Sequence, residues 1–258
     1  MTSACKPVRV SVFMPLVLLL GAMQLALVPA AMSAPANTPA ADALLTLYRT
    51  RLEVGMVMYD DTLGDYRARA EQQAGELETQ LIALVDAHRA RGDEAVAAQL
   101  EALRLRIDRA VRGGEGSGVG ILGLDDYDPA LSAQFQTDGR ELAMLLEKLT
   151  VAGGDPGVQR RAAVALAEVL ANYVGITGSP FGVFSYSAST DEADLSLLAA
   201  RAGDALRQAA TAQAVPPQTM AKWHLLERAL ARPDGGQGYP WLAWRFGNDI
   251  LDALEPSE

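Results

Sequence analysis

Cysteine is all but missing from this chain. A single residue, Cys5, serves 258 positions. It precedes an apolar segment, so a lipid-anchoring cysteine, which would follow such a segment, is not expected. Downstream of it, disulfides and thiolate chemistry are excluded. Histidine is nearly as scarce, with only His88 and His224. Zinc and copper sites draw on His and Cys, so no metal and no cofactor is expected. Nucleophile signatures are missing as well: there is no Gly-x-Ser-x-Gly elbow and no Cys–His pair, so no catalytic residue is assigned. Cations are outnumbered, 22 against 32 anions, for a net charge of −10. A phosphate backbone would be repelled, and no dense Lys/Arg run offsets this, so nucleic acid is not an expected partner.

Charge is also missing locally, over Val10–Ala36. Lys6 and Arg9 precede this stretch, Leu16–Leu20 and Leu25–Ala31 form its apolar part, and Ala34-Pro35-Ala36 closes it. Together they make the pattern of a secretory signal peptide over residues 1–36. Cleavage after Ala36, or alternatively after Ala30, is expected. Retained, the segment is long enough to span a bilayer and would tether the protein to the inner membrane. The expected location is therefore the periplasm or the exterior, with membrane contact only through a retained anchor. The Ala/Leu/Arg-rich composition suits a bacterial periplasmic protein. Cleavage removes the only cysteine, four of the eight methionines and two cations, and takes the net charge from −10 to −12.

The rest of the chain is patterned for helix. Leu45, Tyr48, Leu52, Met56, Tyr59, Leu63, Tyr66, Ala70, Ala74, Leu77, Leu81, Leu84 and His88 follow one another in steps of three and four, the stripe of an amphipathic helix. Asp60-Asp61-Thr62-Leu63-Gly64-Asp65 offers a break, but the stripe keeps its phase across it. One long helix over 40–91, bent at that point, is predicted. Gly92 then supplies a left-handed stop and Asp93 an N-cap, and Val96, Leu100, Leu103, Ile107 and Val111 form the returning stripe. Residues 37–112 thus read as a long, coiled-coil-like helical hairpin.

Glycine crowds into 113–127, which reads as a flexible linker. Within it, Gly118-Val119-Gly120-Ile121-Leu122-Gly123 spells a dinucleotide fingerprint. A helix precedes it where a strand is required, and Asp125, Asp126 and Asp128 follow where a pyrophosphate would sit, so that chemistry is not assigned. The same acidic cluster lacks the glycine and terminal glutamate of a calcium loop. Asp128 with Pro129 at the first helical position opens a C-terminal bundle, residues 128–258. Its helices are expected near 128–152, 156–174, from Ser189-Thr190-Asp191-Glu192 onward, 217–230 and 241–254. The expected fold class is all-α: a long helical hairpin packed with a C-terminal helical bundle.

Aromatic residues are only 6% of the chain, and Trp223, Tyr239, Trp241, Trp244 and Phe246 fall in its last thirty-six positions. A second set, Phe181, Phe184 and Tyr186, lies in the irregular stretch 175–189. Trp, Tyr and Arg dominate binding hot spots. Phe181, Phe184, Tyr186, Trp223, Tyr239, Trp241 and Trp244 are therefore the candidate partner or ligand surface. His224 and Glu227 share a helix face but lack further ligands, and Met56 and Met58 are read as packing residues.

The expected role is non-enzymatic: an exported adaptor or accessory factor of a bacterial envelope assembly, with a protein partner there. A ligand-binding or sensory helical bundle, holding a small molecule among Phe181, Tyr186 and Trp223, is the alternative. An enzyme using converging carboxylates is the second alternative.

Overall fold

The computed structural model describes residues 38–59, 65–114, 118–124, 128–177, 192–230 and 239–255. Among them the chain is all-α, with eight α-helices. These are α1 (Pro39–Tyr59), α2 (Tyr66–Ala90), α3 (Glu94–Arg112), α4 (Pro129–Gly153), α5 (Val158–Thr177), α6 (Glu192–Thr211), α7 (Pro217–Leu230) and α8 (Pro240–Leu254). The described residues belong to one compact unit. No helix among the described residues is long and apolar enough to cross a membrane.

The single long helix predicted over 40–91 is two helices. α1 and α2 lie side by side rather than end to end, and the break spans the acidic Asp60–Asp65 stretch, of which residues 60–64 lie outside the described set. The continuing stripe misleads because each helix buries that face. What the stripe omits is decisive: α1 also buries Leu44, Leu47, Val54 and Val57. A helix apolar on more than one face needs neighbours around it, and a projecting rod would leave those side chains in water. α1 therefore sits inside, packed by α2, α4, α5 and α8. Trp244 of α8 ties this region together. Its ring meets Tyr66 edge-on at 4.8 Å, Arg69 stacks at 5.2 Å, and its indole N–H donates to Glu53 Oε2 at 2.9 Å.

α5 is the second central helix. Leu166, Val169, Leu170, Tyr173 and Val174 are buried, and α1, α6 and α8 surround it. Two glycines permit close helix contact. A Cβ on Gly55 of α1 would stand 2.9 Å from Val174 Cγ1, and one on Gly247 of α8 would stand 2.4 Å from Leu170 Cδ1.

The hairpin proper is α2 with α3. Leu77, Leu81, Leu84 and Val85 meet Ala97, Leu100, Leu103 and Ile107 in its core. At the tip Gly92 has φ 82°, the left-handed stop that the sequence predicts. Asp93 takes the N-cap position but makes no side-chain cap; its carboxylate contacts His88 Nδ1 at 3.2 Å instead. Arg106 joins the hairpin to the bundle, reaching Asp138 Oδ1 at 3.0 Å and Glu141 Oε2 at 2.8 Å on α4. Asp128 does cap α4, accepting from the Ala130 and Leu131 amides at 2.9 and 3.1 Å.

The described part of the glycine-rich segment is a folded turn, not the flexible linker expected of it. Gly113-Gly114 pairs antiparallel with Gly118-Val119. A 3₁₀ turn, Ile121–Gly123, then buries Ile121 and Leu122, and Arg67 donates to the Leu122 carbonyl. A Cβ on Gly120 would lie 2.2 Å from the Gly113 nitrogen. That close backbone approach accounts for Gly120 without any phosphate.

Candidate functional site

Polar residues interrupt both central helices where apolar ones would be expected, and they meet. Arg51 lies in the buried body of α1 and is only 2% exposed. A guanidinium keeps its charge even there. Its Nη2 donates to Gln136 Oε1 at 2.8 Å and to Asn172 Oδ1 at 3.3 Å, and its Nε donates to the same Gln136 oxygen at 3.2 Å. Among the described residues no carboxylate pairs with it within ion-pair distance. The Tyr48 ring, one turn earlier, lies 5.8 Å from the Arg51 guanidinium carbon, within cation–π range. On α4, Gly139 leaves room for the arginine stem: a Cβ there would stand 3.1 Å from Arg51 Cδ.

Asn172 is held for its role. Its amide donates to the Glu168 carbonyl at 2.8 Å, which turns Oδ1 toward Arg51. Glu168, one turn back on α5, faces Arg201 of α6 at 3.5 Å. Burial pushes the Glu168 carboxyl above the usual range, with Arg201 opposing and Glu147 reinforcing. The Tyr48 hydroxyl donates to Glu147 Oε1 at 3.3 Å. Burial first, then the charges of Glu168 and Glu147, raise the Tyr48 phenol, so it stays protonated and remains a donor.

These residues border a cavity of about 730 Å³. Tyr48 and Arg51 of α1 with Glu168 and Asn172 of α5 form its floor. Ala143, Met144 and Glu147 of α4 and Leu197, Leu198 and Arg201 of α6 form its walls. A second cavity of about 490 Å³ shares Glu147, Glu168 and Arg201 with the first, and adds Leu44, Val151, Val164 and Ala165. The two adjoin at those three residues, in the groove between α4 and α6. Met144, Val151 and Leu197 stand exposed along it.

The aromatic candidates do not converge on one site. Trp223 is fully buried between α6 and α7, so it is core. Trp244 is a packing and hydrogen-bonding residue, as described above. Tyr239 and Trp241 are exposed, at 63% and 44%, and the Arg245 guanidinium stacks 5.3 Å from the Trp241 ring. Phe181, Phe184 and Tyr186 lie outside the described residues. The ligand site expected among Phe181, Tyr186 and Trp223 loses its Trp223 member, because the indole faces Gly203 inside the bundle. His224 approaches Glu227 Oε2 at 3.6 Å, and no group of three metal-ligating side chains forms among the described residues.

No motif or spacing points to Arg51, Gln136, Glu147, Glu168 or Asn172, and spacing marks Tyr48 only as a position of the helical stripe. For Arg51, Glu168 and Asn172 the signal lies in α1 and α5, where charged or amide side chains break runs of Ala, Leu and Val. Compared with known proteins, the chain matches no protein-family model, no curated protein and no solved structure.

Proposed function

We propose that this is an exported, non-enzymatic binding protein, a helical bundle that holds a small organic molecule in the groove between α4 and α6. One observation carries the reading: a buried cation, Arg51, on the floor of a cavity of about 730 Å³. Ligand sites are typically clefts of about 300–1,000 Å³ with apolar walls and a few fixed polar groups. Here Met144, Leu197 and Leu198 supply apolar wall, and Tyr48, Arg51 and Asn172 are fixed by packing and hydrogen bonds. Export rests on the N-terminal pattern, which supports a working location in the periplasm or outside the cell. Ligand-observed NMR with a mixed panel of acids, amines, alcohols and sugars tests it. Binders should appear and should be lost when Leu197→Trp blocks the groove. A panel without binders, or binders indifferent to that change, would contradict it.

The exposed Tyr239 and Trp241 favour a second reading, an accessory factor that docks on an envelope protein. Trp241 is held by Arg245, and ordered aromatic–arginine pairs are typical anchors. Capture of a defined partner from envelope extracts, lost in Trp241→Ala, supports it. Capture that Trp241→Ala leaves unchanged counts against it.

A further inference from the structure

A buried positive charge needs a counter-charge, and among the described residues no carboxylate stands at ion-pair distance from Arg51, although Glu168 lies near enough to feel its charge. Taking a guanidinium out of water without a paired anion is costly. Its three hydrogen bonds run to neutral amide oxygens, two of them to one atom, Gln136 Oε1. Because that oxygen faces Arg51, the Gln136 amide nitrogen is left buried without a partner. An orphan N–H donor therefore lies beside the cation, and of the two side chains Arg51 lines the cavity.

None of the carboxylates bordering the same cavity stands at ion-pair distance from Arg51, and two of them pair with other arginines. Glu141 pairs with Arg106 at 2.8 Å, Glu168 faces Arg201 at 3.5 Å, and Glu147 accepts from Tyr48.

We infer that the groove takes a small organic carboxylate with an apolar body, its carboxylate set against Arg51 and its body along Met144, Leu197 and Leu198. The inference rests on the binding-protein reading above and names its ligand class. Arginine and carboxylate make the strong, charge-assisted pair that this floor lacks. An amine would meet Arg51 as a like charge, and an alcohol would leave the cation uncompensated.

Calorimetric titration of the whole mature protein tests this with hexanoate and N-acetyl-leucine, against 1-hexanol and hexylamine. Hexanoate represents a fatty-acid-like source and N-acetyl-leucine a peptide terminus; saturable binding of either supports the inference, and the tighter one identifies the source. Arg51→Met should weaken the acid at least about tenfold, as loss of a charge-assisted contact does. Because Arg51→Met can cost folding, Leu197→Glu provides a second arm at an exposed rim position. It should weaken the acid several-fold, by repulsion added to the lost apolar contact, and weaken any hexanol binding by less. Binding of hexanol or hexylamine without either acid would leave the cavity reading standing and overturn the carboxylate. Equal acid affinity in wild type, Arg51→Met and Leu197→Glu would overturn it too. If none of the four probes binds, both readings fall.

Discussion

Arg51 and Gln136 share a single oxygen: Gln136 Oε1 accepts from both Nη2 and Nε of the arginine, at 2.8 and 3.2 Å. A carboxylate at that position would meet the same two donors with two oxygens and a full negative charge. Gln136→Glu should therefore stabilise the fold, removing an unpartnered amide and neutralising Arg51 internally. It should also weaken carboxylate binding, because the counter-charge is now built in. Thermal unfolding and acid titration of the one variant should move in opposite directions, a stability–function trade-off. A variant less stable than wild type, or one binding acids as tightly, would contradict this.

Glu53 sets a pH dependence. It is buried and accepts from Trp244 Nε1 at 2.9 Å and Asn248 Nδ2 at 3.4 Å. Burial raises its carboxyl above the usual range despite those bonds and despite Arg69 and Arg49. A raised carboxyl holds its proton in the folded state at pH values where the unfolded chain has lost it. Stability then falls as pH rises through the folded value, and it is regained on acidification toward the ordinary Glu value of about 4.3. Urea denaturation between neutrality and that value should show wild type gaining on Glu53→Gln as the pH drops. Parallel curves would refute the assignment.

Asp138 is buried at the junction of hairpin and bundle. It meets Arg106 Nη1 at 3.0 Å and accepts from Gln134 Nε2 at 2.8 Å. Its Oδ1 lies against the guanidinium without hydrogen-bond alignment, so the contact is chiefly ionic. Arg106→Met should strand the charge and cost about 3 kcal/mol. Asp138→Asn added to that variant should recover part of the loss. Urea melts of the two single variants and the double variant measure this coupling, and simple additivity would show that the pair does not matter.

Two glycines should resist enlargement for different reasons. At Gly247 a Cβ meets the flexible Leu170 side chain, at 2.4 Å from Cδ1. Leu170 must leave its rotamer or α8 must shift, at about 1–3 kcal/mol. At Gly120 it meets backbone, the Gly113 nitrogen at 2.2 Å and the Arg112 carbonyl carbon at 2.4 Å. Backbone cannot swing aside, so Gly120→Ala should be the more damaging of the two, with the turn around Ile121 and Leu122 displaced from the core. Chemical denaturation of the two variants decides the order.

Much of the helix punctuation was legible in the chain. Gly92 stops α2, Asp128-Pro129 opens α4, and Pro217 and Pro240 open α7 and α8. These signals are local, fixed by the φ preferences of Gly and Pro and by side-chain capping. The reversal between α1 and α2 was harder to see. Periodicity reports which face is buried, not which partner buries it, so a stripe in constant phase fits a rod and a folded pair equally well. The second apolar face of α1, Leu44, Leu47, Val54 and Val57, held the missing information.

The glycine segment shows the opposite error. Composition suggested flexibility, whereas Gly120 is demanded by backbone crowding. The site was the least legible part. Arg51, Gln136 and Asn172 come from three helices, and nothing in their spacing foretells that they meet. Trp223 drew attention for its chemistry, yet volume rather than chemistry explains it. Among the described aromatic candidates, Tyr239 and Trp241 are the two left in solvent.

The central claim is that Arg51 faces a guest. Arginine side-chain Nε–Hε NMR of the protein, with Arg51 assigned through Arg51→Lys, reads that nitrogen directly. Adding hexanoate should move the Arg51 signal saturably, while the signal of Arg109, exposed on α3, stays in place. An Arg51 signal that does not move, or that moves no more than the exposed arginines do, would contradict the account.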